Sequence, residues 1–128
     1  MNLRVYYEDT DAGGVVYHSK YLNFCERARS ELFFRAYPHI FDAQSGHFLL
    51  VKANCTFIKP AHLGDTLEVK STLLQLKNAS LAVKQEIFRG SERLFSADFT
   101  LAFIKNEKPA AMSGELKEVF VRLFSKKC

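Results

Sequence analysis

Asp11 is followed at once by Ala12, Gly13 and Gly14, and seven residues on by His18, where a helical pattern opens. Upstream, Leu3, Val5 and Tyr7 alternate with Arg4, Tyr6 and Glu8, a period of two that predicts a half-buried strand. A strand, a glycine turn and a helix N-terminus would bring three things together. These are an anionic side chain, backbone that a ligand can approach closely, and N–H groups with no helical partner. Acyl transfer needs that set: a nucleophile or base, beside donors for the oxyanion of a tetrahedral intermediate.

Each residue also has a plainer reading. Asp beside Gly often closes a turn on its own backbone, so Asp11 is either a reacting carboxylate or a turn cap. His18 contacts substrate through its imidazole, donates its backbone N–H to the reacting oxygen, or simply starts a helix at the surface. The unpaired first-turn N–H groups favour the backbone role. Tyr7 either packs in the core with Val5 or points its hydroxyl at Asp11 or a water. Asp9 and Asp11 with Gly14 superficially echo a calcium loop. Gly13 stands at a ligand position there, and Lys20 where a bidentate Glu is required, so no metal is expected. Glu26 reads as a solvated or interface residue, with a supporting catalytic role as the alternative.

The elements that would hold these groups follow from periodicity. Residues from about Ser19 to Ala36 read as one long helix, with Tyr21, Phe24, Cys25, Ala28, Leu32 and Ala36 on one face. Glu26, Arg27, Arg29 and Ser30 take the others, and Pro38 stops the helix. A loop runs through Gly46. Then Val51, Ala53, Cys55 and Phe57 alternate with Lys52, Asn54 and Thr56 until Pro60. Leu67, Val69 and Leu73 mark a further strand. Lys77-Asn78-Ala79 predicts a hairpin turn into Leu81, Val83 and Ile87, and Gly90-Ser91 a second turn into Phe95–Phe103. Gly114 precedes a short amphipathic helix carrying Leu116, Val119, Phe120, Leu123 and Phe124, with Lys126 and Lys127 at its end. The expectation is an α+β domain over residues 1–128, with a long helix against a five-stranded antiparallel sheet. One helix covers the middle of such a sheet and hardly all of it, so pairing with another copy is expected.

Composition bounds the function. At 128 residues, 48% hydrophobic and 25% charged, the chain has the make-up of a globular protein. No apolar run approaches the roughly 20 residues that cross a bilayer, and no secretory signal is visible. Three cysteines without metal-ligand spacing suit reduced thiols in a cytoplasmic compartment. A net charge of +4 either favours anionic ligands or is a solvated surface. Neither zinc-finger spacing nor a basic stripe interleaved with aromatics is present, so nucleic acid is not an expected partner.

The run VYYEDTDAGGVVYHSKYLNFCERARSELF, over Val5–Phe33, resembles the signature of YbgC-type acyl-CoA thioesterases, within the 4-hydroxybenzoyl-CoA thioesterase family of hotdog fold. Phe57-Ile-Lys-Pro60-Ala-His-Leu-Gly64-Asp65 is similar to a stretch common among hotdog proteins, and the likeness extends over nearly the whole chain. This resemblance implies Asp11 as the catalytic carboxylate, with residues around His18 lining the reacting carbonyl; Tyr7, from its place on the strand before the turn, is a further catalytic candidate. It implies no metal or redox cofactor, coenzyme A being part of the substrate. It also implies a homo-oligomer, a dimer or a dimer of dimers, with active sites at the subunit interface. Gly14, Val16 and Tyr17 are nominated as substrate contacts. Lys59, Lys77, Arg89 and Arg93 are nominated for the coenzyme A phosphates, and Asn78 and Ser80 for the pantetheine arm. Acyl carrier protein and a peripheral place at the inner membrane are implied as further associations. The competing class is a non-catalytic scaffold or binding module of the cell envelope.

Overall fold

The computed structural model describes residues 1–36 and 46–125. In chain order these form β1 (Asn2–Arg4), a 3-10 turn (Tyr7–Asp9), α1 (His18–Ala36), β2 (His47–Phe57), β3 (Thr66–Leu76), β4 (Ser80–Arg89), β5 (Glu92–Lys105), β6 (Lys108–Pro109) and α2 (Gly114–Ser125). The strands make one antiparallel sheet in the order β1-β3-β4-β5-β2. The two-residue β6 adds to β5 beyond the five strands expected. The expected stop at Pro38, the loop ahead of Gly46 and the terminal lysines lie outside the described residues.

α1 forms because its apolar residues recur every three to four positions, so one stripe can face the sheet. Tyr21, Phe24, Cys25, Ala28 and Phe33 are buried there against Leu67, Val69, Leu81, Val83, Ile87, Phe95 and Phe99 from the strands. Each fully buried side chain of this size contributes about 1.5–3 kcal/mol. This is the hotdog arrangement of a long helix wrapped by an antiparallel sheet. Ser113 Oγ accepts the Leu116 N–H at 3.1 Å and starts α2. Leu116, Val119, Phe120 and Phe124 are then buried, with Phe120 edge-on to Phe33 at 5.2 Å. The apolar stripe of α2 therefore covers the protein's own core.

Three sequence expectations are corrected. Tyr7 is not on a strand and not in the core: β1 ends at Arg4, and Tyr7 is 82% exposed. Val5 is the last residue held by the sheet region, exchanging backbone bonds with Asp65 O and the Gly64 N–H. Asp9 Oδ2 then accepts the Tyr6 N–H at 3.0 Å and closes the 3-10 turn. Secondly, β2 does not bury alternate residues, because it is the edge strand; Leu49, Val51, Ala53 and Phe57 are all exposed and Cys55 is half-buried. Thirdly, Arg29, expected away from the apolar stripe, is packed with it. It is buried, with Nη1 donating to Gln85 Oε1 at 2.7 Å and the guanidinium 4.6 Å from the centre of the Phe99 ring.

Candidate active site

The glycine turn is built by local hydrogen bonds. The Gly14 N–H donates to Asp11 O at 3.1 Å, and the Asp11 N–H to Val15 O at 2.9 Å. Gly14 has φ +80, a conformation that residues with a Cβ rarely adopt. Asp11 Oδ1 accepts the Gly13 N–H at 2.8 Å. The turn-cap reading of Asp11 is therefore realised in the structure, and its carboxylate is exposed.

From the turn the chain enters α1 directly. The Tyr17 N–H is taken by Asp9 O, the Val16 N–H by Ala61 O and the Lys20 N–H by Tyr17 O. Among the described residues nothing accepts from the N–H groups of His18 and Ser19, as the first turn of a helix dictates. His18 also lines a cleft of about 200 Å³. Its walls are Val15, Val16, His18, Tyr21, Phe57, Ile58, Lys59 and Pro60. The His18 imidazole stands edge-on to Phe57 with ring centres 4.9 Å apart. Asp11 lies on the turn leading into this wall and does not line the cleft.

The structure thus brings His18 and Val16 to one cleft, with Gly14 and Tyr17 flanking it in the chain. Tyr17 is exposed, and Gly14 O is bound by the Leu63 N–H at 3.0 Å. Lys59 reaches the cleft, but its Nζ pairs with Glu92 at 2.8 Å. Arg89 pairs with Asp65 at 2.7 Å and Glu92 at 2.6 Å, and Arg93 with Glu86 at 2.9 Å. These nominated cations are already matched by carboxylates. In consequence the Glu92 carboxyl is held down to about 2, first by its hydrogen bond from Lys59 and then by that from Arg89. Burial acts to raise the Asp65 carboxyl, but hydrogen bonds from Arg89 and the His62 N–H outweigh it and leave it lowered.

Asn78 and Ser80 are not at the cleft. Phe57 pairs with Phe95 and Ser80 with Ala102, seven residues further along β5 (95 to 102), which is about 23 Å of strand. Asn78 instead anchors α2, its backbone O accepting the Met112 N–H and its Oδ1 the Lys117 ammonium. Sequence reasoning missed Tyr21, Phe57 and Pro60 as cleft residues. Tyr21 was legible as a core position of the helix. Its place three residues after His18 was the available signal for a second role.

Among the described residues no cluster of His, Cys, Asp and Glu is able to hold a metal ion. No described helix is long and apolar enough to cross a membrane.

The model of the Thioesterase superfamily matches residues 13–96. The chain belongs to that superfamily. Within it the chain is of the YbgC type. It is 35% identical to the acyl-CoA thioesterase YbgC of Haemophilus influenzae over 127 residues, 94% of this chain and 93% of that one. It is 43% identical to the acyl-CoA thioesterase YbgC of Helicobacter pylori over 88 residues. That match takes in 69% of this chain and spans 65% of the Helicobacter protein's length. Among solved structures, a probable thioesterase from Bartonella henselae superposes with a TM-score of 0.77 at 34% identity, over 88% of this chain and 96% of that one.

Proposed function

We propose that this chain hydrolyses acyl-CoA thioesters to the free acid and coenzyme A, without metal or redox cofactor. The observation that carries the reading is the pair of unpartnered N–H groups at the start of α1, where His18 lines an aromatic-walled cleft and the chain has just left the Asp11 turn. The thioester carbonyl enters beside the His18 and Ser19 N–H groups, which polarise it and then hold the oxyanion. One such donor lowers a barrier by about 3 kcal/mol. Asp11 either adds to the carbonyl carbon, expelling the thiolate and leaving a mixed anhydride that water cleaves, or takes a proton from the water that adds. In both courses the carbon–sulfur bond breaks and coenzyme A leaves as a thiolate, a good leaving group that needs little acid assistance.

In the single chain Asp11 faces solvent, and the cleft opens beside the exposed β2 edge. A second copy seated on that edge would close the cleft and exclude water, so the working unit in this reading is a dimer or a pair of dimers. Lys59 at the cleft wall is the cation placed to exchange Glu92 for a coenzyme A phosphate.

The test is thiol release over short, long and aromatic acyl-CoAs, with acyl carrier protein thioesters alongside to distinguish the carrier. Asp11→Asn should lower the rate by about a hundred- to ten-thousandfold with an unchanged circular dichroism spectrum. Absence of turnover by the parent protein across the panel would leave the binding-module reading in its place.

A further inference from the structure

Tyr21 lies one helical turn beyond His18, and its ring forms part of the cleft wall while only 3% of the residue is exposed. The ring is stacked on Phe95 with centres 5.1 Å apart and is edge-on to Phe57 at 5.6 Å, so it has one available position. Its hydroxyl oxygen accepts the N–H of Ala61 at 3.0 Å. Ala61 is fully buried, and its own carbonyl accepts the Val16 N–H at 2.9 Å. Val15 bridges to His62 and the Leu63 N–H donates to Gly14 O at 3.0 Å. The segment 61–63 is therefore stitched by its backbone to residues 14–16, the far half of the Asp11 turn. The same segment is tied to α1 by the Tyr21 phenol.

We propose that Tyr21 is a positioning residue for thioester hydrolysis: through Ala61 its phenol oxygen fixes where the Asp11 turn stands relative to the first N–H groups of α1. The proposal rests on the reading of Asp11 and those N–H groups as the reacting set. Catalysis requires the carboxylate and the oxyanion donors to be correctly spaced at once, and a displacement of about 1 Å is enough to cost on the order of a hundredfold in rate. The hydrogen bond from Ala61 is the link that helix packing alone does not supply.

Tyr21→Phe keeps the ring and removes the oxygen. Thiol-release kinetics on the folded variant should show kcat lowered by about 10- to 100-fold with KM within about threefold. Amide hydrogen exchange at Ala61 should accelerate in parallel. Val119→Ala, in the buried face of α2 and outside the cleft lining, serves as the comparison: it should lower the melting temperature and leave kcat unchanged. A kcat for Tyr21→Phe within twofold of the parent overturns the proposal, as does an equal loss in Val119→Ala at matched stability. If Tyr21→Phe does not fold, an ester in place of the Pro60–Ala61 amide (lactate at position 61) deletes the donor N–H instead of the acceptor and gives the same kcat comparison. Asp11→Asn run alongside separates the two readings: full activity there removes the Asp11 assignment, whatever Tyr21→Phe does.

Discussion

Asp11 commits one carboxylate oxygen, Oδ1, to the Gly13 N–H. Turn cap and reacting group are thus compatible roles: the held oxygen fixes the carboxylate plane while the other is available for a carbonyl or a water. His18 separates side chain from backbone. Its ring contacts Phe57 edge-on, an interaction worth about 0.5–1.5 kcal/mol, whereas its N–H is a donor that any residue would carry. His18→Ala should therefore retain most of kcat and lose a little stability; a thousandfold fall in kcat would reassign the chemistry to the imidazole. The glycine turn at Asp11 and the helix start at His18 were legible in sequence because they lie within eight residues and the bonds that shape them are local. Tyr21 was legible only as a buried helix position. Its partner Ala61 is 40 residues away, and nothing in the helix pattern names it.

At the scale of elements, periodicity located both helices and the two hairpin turns, since Leu76 and Ser80 bracket one and Arg89 and Glu92 the other. It failed for β2 and Arg29 for a shared reason: alternation tells which residues share a face, not whether anything covers that face. β2 sits at the sheet edge, and Arg29 is drawn under the helix by Gln85 and Phe99. The ion pairs where β4 turns into β5 have a measurable consequence. Glu92, ordinarily near 4.5, is held down to about 2 by Lys59 and Arg89. A lowered carboxyl stabilises the folded state above its unfolded value and loses that contribution as pH falls through the folded one. Melting temperature should accordingly fall between pH 4.5 and pH 2, and Glu92→Gln should flatten that decline. A variant profile parallel to the parent's would show that the pairs carry no stability.

For the whole molecule the deciding feature is an 11-residue edge strand without a strand partner on its outer side among the described residues. Leu49 is 52% exposed and Val51 54%, with Leu50, Phe57 and Ile58 also exposed. A long apolar edge of this kind is a template for pairing, and proteins that stay single blunt it with charge or proline. Here Lys52 is the only charged residue between Leu49 and Phe57. At about 3.3 Å per residue the strand offers roughly 36 Å of edge, enough to seat an interface of ordinary size. Light scattering should therefore find the parent at a multiple of 14.6 kDa. Leu49→Lys combined with Val51→Asp places charge on the exposed edge without touching the core. The pair should shift the protein toward the single chain and reduce thiol release at least tenfold, because the cleft beside Phe57 and Ile58 would then stay open to water. A monomeric double variant with full activity would mean that one chain suffices for catalysis and that the β2 edge serves assembly alone.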